Sequence, residues 1–353
     1  MVRIQHSPPS LVTDPVFDPF VGGPYPVGVR SGFAIDRGRD DRQLQFEVWY
    51  PASPRYSGLD QSAATQDRFA VLPGAELLHQ AAVRDADAHS GRHPLVLYSH
   101  ASGGHRRQSS FLCTHLASHG FVVAAADHTG NTAADFAARA ERVAAGEVLT
   151  PAEGERRLRR IIADRVPDLR FLLDQLLGGA NGDVADHIDG QRIGVIGWSF
   201  GGWAALAALE VDDRFRAALA LAPAGNSKPL PGIIPATLTF AWKRAVPTMF
   251  LIAEKDRFTP LSGQYELFER TPSTKWMFVL RHADHQHFAD QIDEPGLCSP
   301  EHAHLFTRGL GLAHLTAVLK EHAAARHFVS GDPVAQLKER GVDATSHQNG
   351  AGN

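Results

Sequence analysis

Cysteine is nearly absent. Only Cys113 and Cys298 occur in 353 residues. A disulfide framework is therefore excluded, and one bridge is possible but not implied. Excess positive charge is missing too: 35 Lys and Arg face 39 Asp and Glu, a formal net charge of −4. That balance argues against nucleic acid as the partner, because neutralising phosphates needs clustered Lys and Arg. No apolar run reaches the ~18–20 residues of a membrane helix, so no transmembrane segment is expected. Residues 1–10 contain no apolar core of a secretory signal, and the expectation is a cytoplasmic protein. The phosphate-cradling patterns G-x-x-x-x-G-K-[ST] and G-x-G-x-x-G are absent, as is the zinc helix H-E-x-x-H. The 19 histidines raise the question of metal. Yet His282, His285 and His287, and the pair His302 and His304, lack zinc-ligand spacing. No metal and no cofactor are expected.

Apolar residues make up 43% of the chain, enough for a packed core. The length allows two ordinary domains or one large one. Residues 1–27, rich in Pro, Asp and Gly, read as an extended arm. Two β-like runs follow, Val29–Ile35 and the alternating Leu44–Tyr50, with no helix between them, which predicts an antiparallel start. Residues 51–92 are mixed, with a short helix expected near Glu76–Ala82. A regular alternation then begins. Strands are expected at Pro94–Ser99, Phe121–Ala126, Arg192–Gly197, Phe215–Ala222, Pro247–Ala253 and Lys275–Leu280. Helices are expected at Ser109–His119, Arg157–Leu177, Phe200–Glu210, Leu261–Arg270 and over most of Arg308–His327. Fully apolar strands alternating with helices predict an α/β fold, a mostly parallel sheet covered on both faces. Two insertions, 129–156 and the Pro-rich 223–246, are expected over the strand C-terminal ends, where they would shape a substrate pocket. Residues 329–353 read as a tail whose end, 341–353, is expected to be disordered.

The strongest chemical signal is Gly197-Trp198-Ser199-Phe200-Gly201-Gly202. It has the form G-x-S-x-G and lies between an expected strand and an expected helix. The glycines permit a sharp turn that lifts the Ser199 hydroxyl above the strand end. A serine needs a base, and the base needs an orienting carboxylate. In this arrangement the acid and then the histidine follow the serine along the chain. Asp256 is favoured as the acid because it follows the strand Pro247–Ala253; Glu254 is its nearest rival. For the base, His285 leaves room for a short loop to turn back over the sheet. His282 sits too close to its strand, and His287 is the closest competitor. An oxyanion hole needs two converging N–H donors. Phe200, just after the serine, would supply one. The Gly-rich loop after Ser99 would supply the other, from Ser102 or alternatively Ala101. Trp198 and His100 are candidate pocket residues, although His100 would also serve as a brace for that loop. Trp198, Trp203 and Trp242 are equally readable as core. Cys113 falls on an expected helix as a buried thiol, and Cys298 in a loop.

With these residues in place the sequence resembles an α/β-hydrolase. More narrowly, it resembles bacterial proteins grouped with plasma-type platelet-activating-factor acetylhydrolases and dienelactone hydrolases. The resemblance covers roughly residues 25–325. It rests on Tyr25-Pro26-Val27-Gly28, Glu47-Val48-Trp49-Tyr50-Pro51, Leu97-Tyr98-Ser99-His100, Asp127-His128-Thr129-Gly130-Asn131-Thr132 and Asp168–Asp174. The Ser199 turn and His285-Gln286-His287-Phe288-Ala289-Asp290 complete it. In the acetylhydrolases the first His of that last block is the base, which implies His285. The Ser-His-Gly of the family loop is Ser99-His100-Ala101 here. The plasma-type enzymes carry their acid directly after the strand that follows the serine helix, where this chain has Leu221-Ala222-Pro223. The Asp256 segment instead resembles dienelactone hydrolases and cutinase-like polyester hydrolases. Dienelactone hydrolases proper use a cysteine nucleophile, and Ser199 departs from that.

The expectation is thus a serine hydrolase of carboxylic esters, short-acyl or lipid-like, acting on a small-molecule substrate through an acyl-enzyme on Ser199. A polyester hydrolase is the alternative within that chemistry. A metal-dependent hydrolase and a non-catalytic binding protein of the same fold are the alternatives outside it. A single order of nucleophile, acid and base needs one continuous sheet, so residues 28–328 are expected to form one domain.

Overall fold

The computed structural model describes residues 17–148, 150–293 and 295–347. The chain opens with strands β1 (Val27–Asp36) and β2 (Arg42–Pro51), an antiparallel pair. Three short strands follow: β3 (Asp67–Phe69), β4 (Leu78–Gln80) and β5 (Val83–Arg84). The alternating part runs β6 (His93–Ser99), α1 (Ser110–Ser118), β7 (Val122–Ala126), α2 (Ala133–Ala144), α3 (Pro151–Leu177) and α4 (Asp183–Asp186). It continues with β8 (Ile188–Trp198), α5 (Phe200–Val211), β9 (Phe215–Leu221), β10 (Thr248–Ala253), α6 (Leu261–Arg270) and β11 (Lys275–Leu280). Helices α7 (Pro300–Leu319), α8 (Ala323–Ser330) and α9 (Pro333–Lys338) precede a last strand, β12 (Ala344–His347).

Ten strands form one sheet in the order β12-β11-β10-β9-β8-β6-β7-β2-β1-β5. From β7 to β11 all neighbours are parallel; β2 and β12 join antiparallel. The central strands are buried on both faces, as their unbroken apolar runs require. One face is covered by α1 and α7, the other by α3 and α5. This is the mostly parallel α/β arrangement expected from the strand and helix alternation, and the α/β-hydrolase fold that the resemblance implies. The order reverses at β6, with β7 on one side and β8 on the other, and ligands of open parallel sheets bind beyond the strand ends at such a switch. The register puts Ser99 of β6 opposite Gly197 of β8, and Ala253 of β10 opposite Leu280 of β11. The loops that follow these four strands therefore emerge side by side.

Several expectations need correction. Residues 76–82 are not helical. Gln80 accepts a hydrogen bond from Trp49 Nε1 at 2.7 Å and donates to Asp67, which also receives Arg84. That non-local polar network draws the segment into extended pairing. Helix α3 begins at Pro151 and not at 157, because Thr150 and Glu153 form a capping box with Pro at the first turn. The insertion 129–156 is accordingly α2 plus the first turn of α3. Helix α7 likewise starts at Pro300, capped by Ser299. The tail is not a separate appendage. Val329, Leu337 and Val342 enter the core, and Ala344–His347 covers the edge of β11, which would otherwise present an open strand. Of the expected disordered end, residues 348–353 lie outside the described residues, as do residues 1–16 of the arm. The described part of the arm is packed: Phe17 and Phe20 make edge contacts with Phe328 of α8.

Candidate active site

Ser199 occupies the turn between β8 and α5 with φ 58° and ψ −119°, a backbone conformation unfavourable for an L residue. Flanking bonds hold it there. Its N–H donates to the Leu221 carbonyl at 2.9 Å, and its carbonyl receives the N–H groups of Trp203 and Ala224. A Cβ on Gly197 would meet the Gly201 carbonyl oxygen at 1.9 Å, and one on Gly201 would meet the Ser99 carbonyl oxygen at 1.9 Å. Both glycines of the motif are thus fixed by close backbone approach.

Asp256 follows β10 and is buried. Its Oδ2 lies 2.6 Å from His285 Nδ1 and accepts the Thr259 hydroxyl at 2.7 Å. Its Oδ1 accepts the N–H groups of Phe258 and Thr259 at 2.8 and 2.7 Å. Burial pushes this carboxyl upward, but the bonds from His285 and Thr259 outweigh it and hold the group below the ordinary carboxylate range. It remains an anion against His285 Nδ1, and His285 lines the cavity. The rival Glu254 points elsewhere, accepting the His282 N–H and pairing with Arg281. His287 is fully buried. Its Nδ1 meets the Asp284 backbone and its Nε2 lies 3.1 Å from the Cys298 carbonyl, so both ring nitrogens serve the loop. His282 stands near Asp343, away from the cavity.

Ser199 and His285 line one cavity of about 410 Å³, with Ala101, Ser102, Gly103, Trp198, Phe200, Ile233, Ile234 and Phe258 among its walls. Among the described residues no hydrogen bond joins the Ser199 hydroxyl to His285; such bonds commonly tighten only with substrate bound. Phe200, Ser102 and Ala101, the residues expected to supply oxyanion donors, all line this cavity. The carbonyl of Ser199 is held by Trp203 and Ala224, so the N–H on the opposite side of that planar peptide, that of Phe200, faces away from them. In the loop after β6, Ala101 N–H donates to Gln108 Oε1 at 3.0 Å, Gly103 N–H to Asn131 and Gly104 N–H to the Ala101 carbonyl. Of the N–H groups of Ala101 to Gly104, that of Ser102 is the one with no hydrogen-bond partner among the described residues. Ala101, the alternative, is thus already engaged.

Trp198 lines the cavity, its ring 5.4 Å from that of His285. His100 does not. It is 0% exposed beneath the loop, its Nδ1 2.6 Å from the Ala101 carbonyl and its Nε2 accepting the His128 N–H. Burial, with the charge of Arg165, keeps its pKa well below the ordinary imidazole value, so it is a neutral brace. The 223–246 segment contributes Ala224 and Gly232–Ile234 to the cavity walls, whereas 129–156 borders a separate cleft with Arg42, Arg139 and Arg157. Both cysteines are free thiols.

Sequence reasoning missed a hydrogen-bonded Ser-His-Asp chain away from Ser199. Ser99 Oγ lies 3.0 Å from His128 Nε2, and His128 Nδ1 lies 3.0 Å from Asp168. All three are buried, and Arg39 and Arg42 clamp Asp168. With no opening to solvent it cannot meet a substrate; it ties β6, β7 and α3 together. Thr259 and Gln108 were also missed. Thr259 carried a faint signal, three residues after the acid; Gln108 carried none.

The model of the family described as PET hydrolase-like matches residues 102–297. That of platelet-activating factor acetylhydrolase, isoform II, matches residues 26–153. The platelet-activating factor acetylhydrolase of Canis lupus familiaris is 28% identical over 231 residues, 56% of this chain and 48% of that protein. The enzyme of the same name from Cavia porcellus is 25% identical over 305 residues, 76% of this chain and 67% of that protein. The chain thus spans about half to two thirds of the length of these relatives. A ferulic acid esterase structure from Streptomyces cinnamoneus superposes with a TM-score of 0.67 at 23% identity, covering 92% of this chain and 97% of that one. At that identity the likeness is one of fold. The PET hydrolase-like match covers more than half of the residues, and on that ground the chain belongs to the PET hydrolase-like family of α/β-hydrolases, a family of carboxylic ester hydrolases.

Proposed function

We propose that the protein is a serine hydrolase of carboxylic esters, with Ser199 as nucleophile, His285 as base and Asp256 as the orienting acid. One observation carries the reading: a 2.6 Å His285–Asp256 bond on the wall of the cavity that also holds the strained Ser199 turn. In this reading the Ser199 Oγ attacks the ester carbonyl while His285 Nε2 takes its proton. The N–H groups of Phe200 and Ser102 hold the oxyanion. The alcohol departs with the proton from His285, leaving an acyl-enzyme. Water then attacks, giving its proton to His285, and the acid leaves as Ser199 recovers that proton.

The walls Trp198, Ile233, Ile234 and Phe258 favour an uncharged, apolar acyl group, and the cavity volume suits a small ester. The names of the relatives support short-acyl and lipid-like esters. The family match and the half-exposed Phe258 at the rim favour a second reading, a polyester segment laid across an open cleft. A panel of p-nitrophenyl acetate, butyrate and octanoate, an oxidised phospholipid and a soluble aromatic polyester fragment separates them. Short-acyl or lipid-like hydrolysis predicts kcat/KM highest on one of the first four. Highest kcat/KM on the polyester fragment would shift the assignment to the second reading. No Ser199-dependent turnover of any would overturn both.

A further inference from the structure

The two proposed oxyanion donors sit on different elements, and one buried cation touches Phe200 and, through His100 and Asn131, holds the loop that carries Ser102. Arg165 lies on α3 within the apolar stripe, four residues from Ile161 and four from Leu169, and is 1% exposed. Buried arginines ordinarily meet a carboxylate; this one has none within hydrogen-bond distance. Its Nη1 donates to the His100 carbonyl at 2.6 Å and to the Ser99 hydroxyl at 3.3 Å, and its Nη2 donates to Asn131 Oδ1. Its guanidinium carbon stands 4.6 Å from the centre of the Phe200 ring. Asn131 in turn donates to the Ser102 hydroxyl at 3.0 Å and accepts the Gly103 N–H through its carbonyl. So one rigid planar fork reaches the root of the Ser102 loop, the side chain that cradles it, and the residue that supplies the second donor. The Arg165 hydrogen bonds all go to neutral acceptors, and its nearby counter-charge, Asp168, is bonded to Arg39 and Arg42 instead. A buried cation so placed is a poor stabilising device, since an apolar side chain of similar volume commonly serves stability as well or better. Its use here calls for another reason.

We propose that Arg165 is a positioning residue for the oxyanion hole, setting the spacing between the Ser102 and Phe200 N–H groups. This rests on the ester-hydrolase reading above. Oxyanion donors act only when pre-set to the position the developing charge will occupy, so misplacing them lowers kcat more than it raises KM.

The test uses Arg165→Met and Arg165→Lys in the full chain. Active sites are titrated with a fluorophosphonate, so that any loss of folded protein is removed from the rate. Kinetics on p-nitrophenyl acetate are paired with the Ki of a trifluoromethyl ketone, whose adduct with a serine places an oxyanion in the hole. We expect Arg165→Met to lose about 10²-fold in kcat per titrated site, with KM within about three-fold and the Ki weakened in parallel. Arg165→Lys keeps the charge but not the fork or the planar face, and should fall between the two. A merely structural role would lower the titrated fraction and Tm and leave kcat per site and Ki alone. A change of less than about five-fold in these two quantities overturns the proposal; a larger one supports it. If Arg165→Met does not fold, Arg165→Lys decides by the same threshold. Turnover by Ser199→Ala would overturn the hydrolase reading itself, which is a separate failure.

Discussion

Ser199 holds a backbone conformation that costs an L residue roughly 1–3 kcal/mol, and the surrounding bonds keep it there. Strain of that kind at the mouth of a cavity is where chemistry is expected. Replacing the acid is the sharper test of how the site is built. Asp256→Asn should cut kcat/KM by about 10²–10⁴-fold, because the amide can present its NH₂ to His285 Nδ1 and stabilise the wrong tautomer. Glu254→Gln should stay within about two-fold, since its carboxylate serves Arg281 and the His282 backbone. Steady-state kinetics on the two variants decides; the reverse pattern would exchange the assignments. Of the candidate site, the Ser199 turn was legible from G-x-S-x-G, and the meeting of Asp256 and His285 from their places after strands. The rest was not, for a physical reason. The Gln108 side chain accepts the Ala101 N–H, and the Asn131 side chain bonds the Ser102 hydroxyl and Arg165, partners that only the folded chain brings together. Arg165 did leave a trace, a charge inside an apolar helical stripe.

At the level of elements, the Ser199 turn depends on close contact between α5 and the loop after β6. Gly201→Ala would drive a Cβ into the Ser99 and His100 carbonyl oxygens. The better helix propensity of alanine returns at most about 1 kcal/mol. We expect a net loss of about 3 kcal/mol in urea unfolding, by the overpacking rule for rigid surroundings. An unchanged midpoint would contradict the geometry of that contact. The N-terminus of α3 makes a milder prediction: Thr150→Ala removes the capping box and should cost about 1 kcal/mol with kcat unchanged. Central elements were legible because strands buried on both faces are written as short apolar runs. β12 and the pairing of β3 with β4 were not, because Ala-Thr-Ser-His and Leu-His-Gln carry no such pattern. Their pairing is decided by an exposed edge and by the Trp49–Gln80–Asp67 network.

For the molecule as a whole, buried histidines set the response to acid. Burial lowers His93, His128 and His314 to about 4 and His115 to about 3. The unfolded chain takes up these protons near pH 6.5, the folded chain only far below. Between those values the unfolded state binds more protons, so stability falls as pH falls, by up to about 1.4 kcal/mol per unit for each such group. Asp290, raised to about 6 by burial, acts in the opposite sense between pH 6 and 4, but it is one group against several. Urea unfolding at pH 7, 6 and 5 should show a steady loss of several kcal/mol; a flat profile would contradict neutral burial of these rings. Among the described residues, Ser99, His128 and Asp168 form a hydrogen-bonded chain sealed in the core, whereas the proposed Ser199, His285 and Asp256 set lines a cavity. Intact mass after treatment with a fluorophosphonate, followed by peptide mapping, tests which is chemical. The account predicts one adduct per chain, on Ser199, and none on Ser199→Ala; no adduct, or one on another residue with Ser199→Ala still turning over ester, would contradict it.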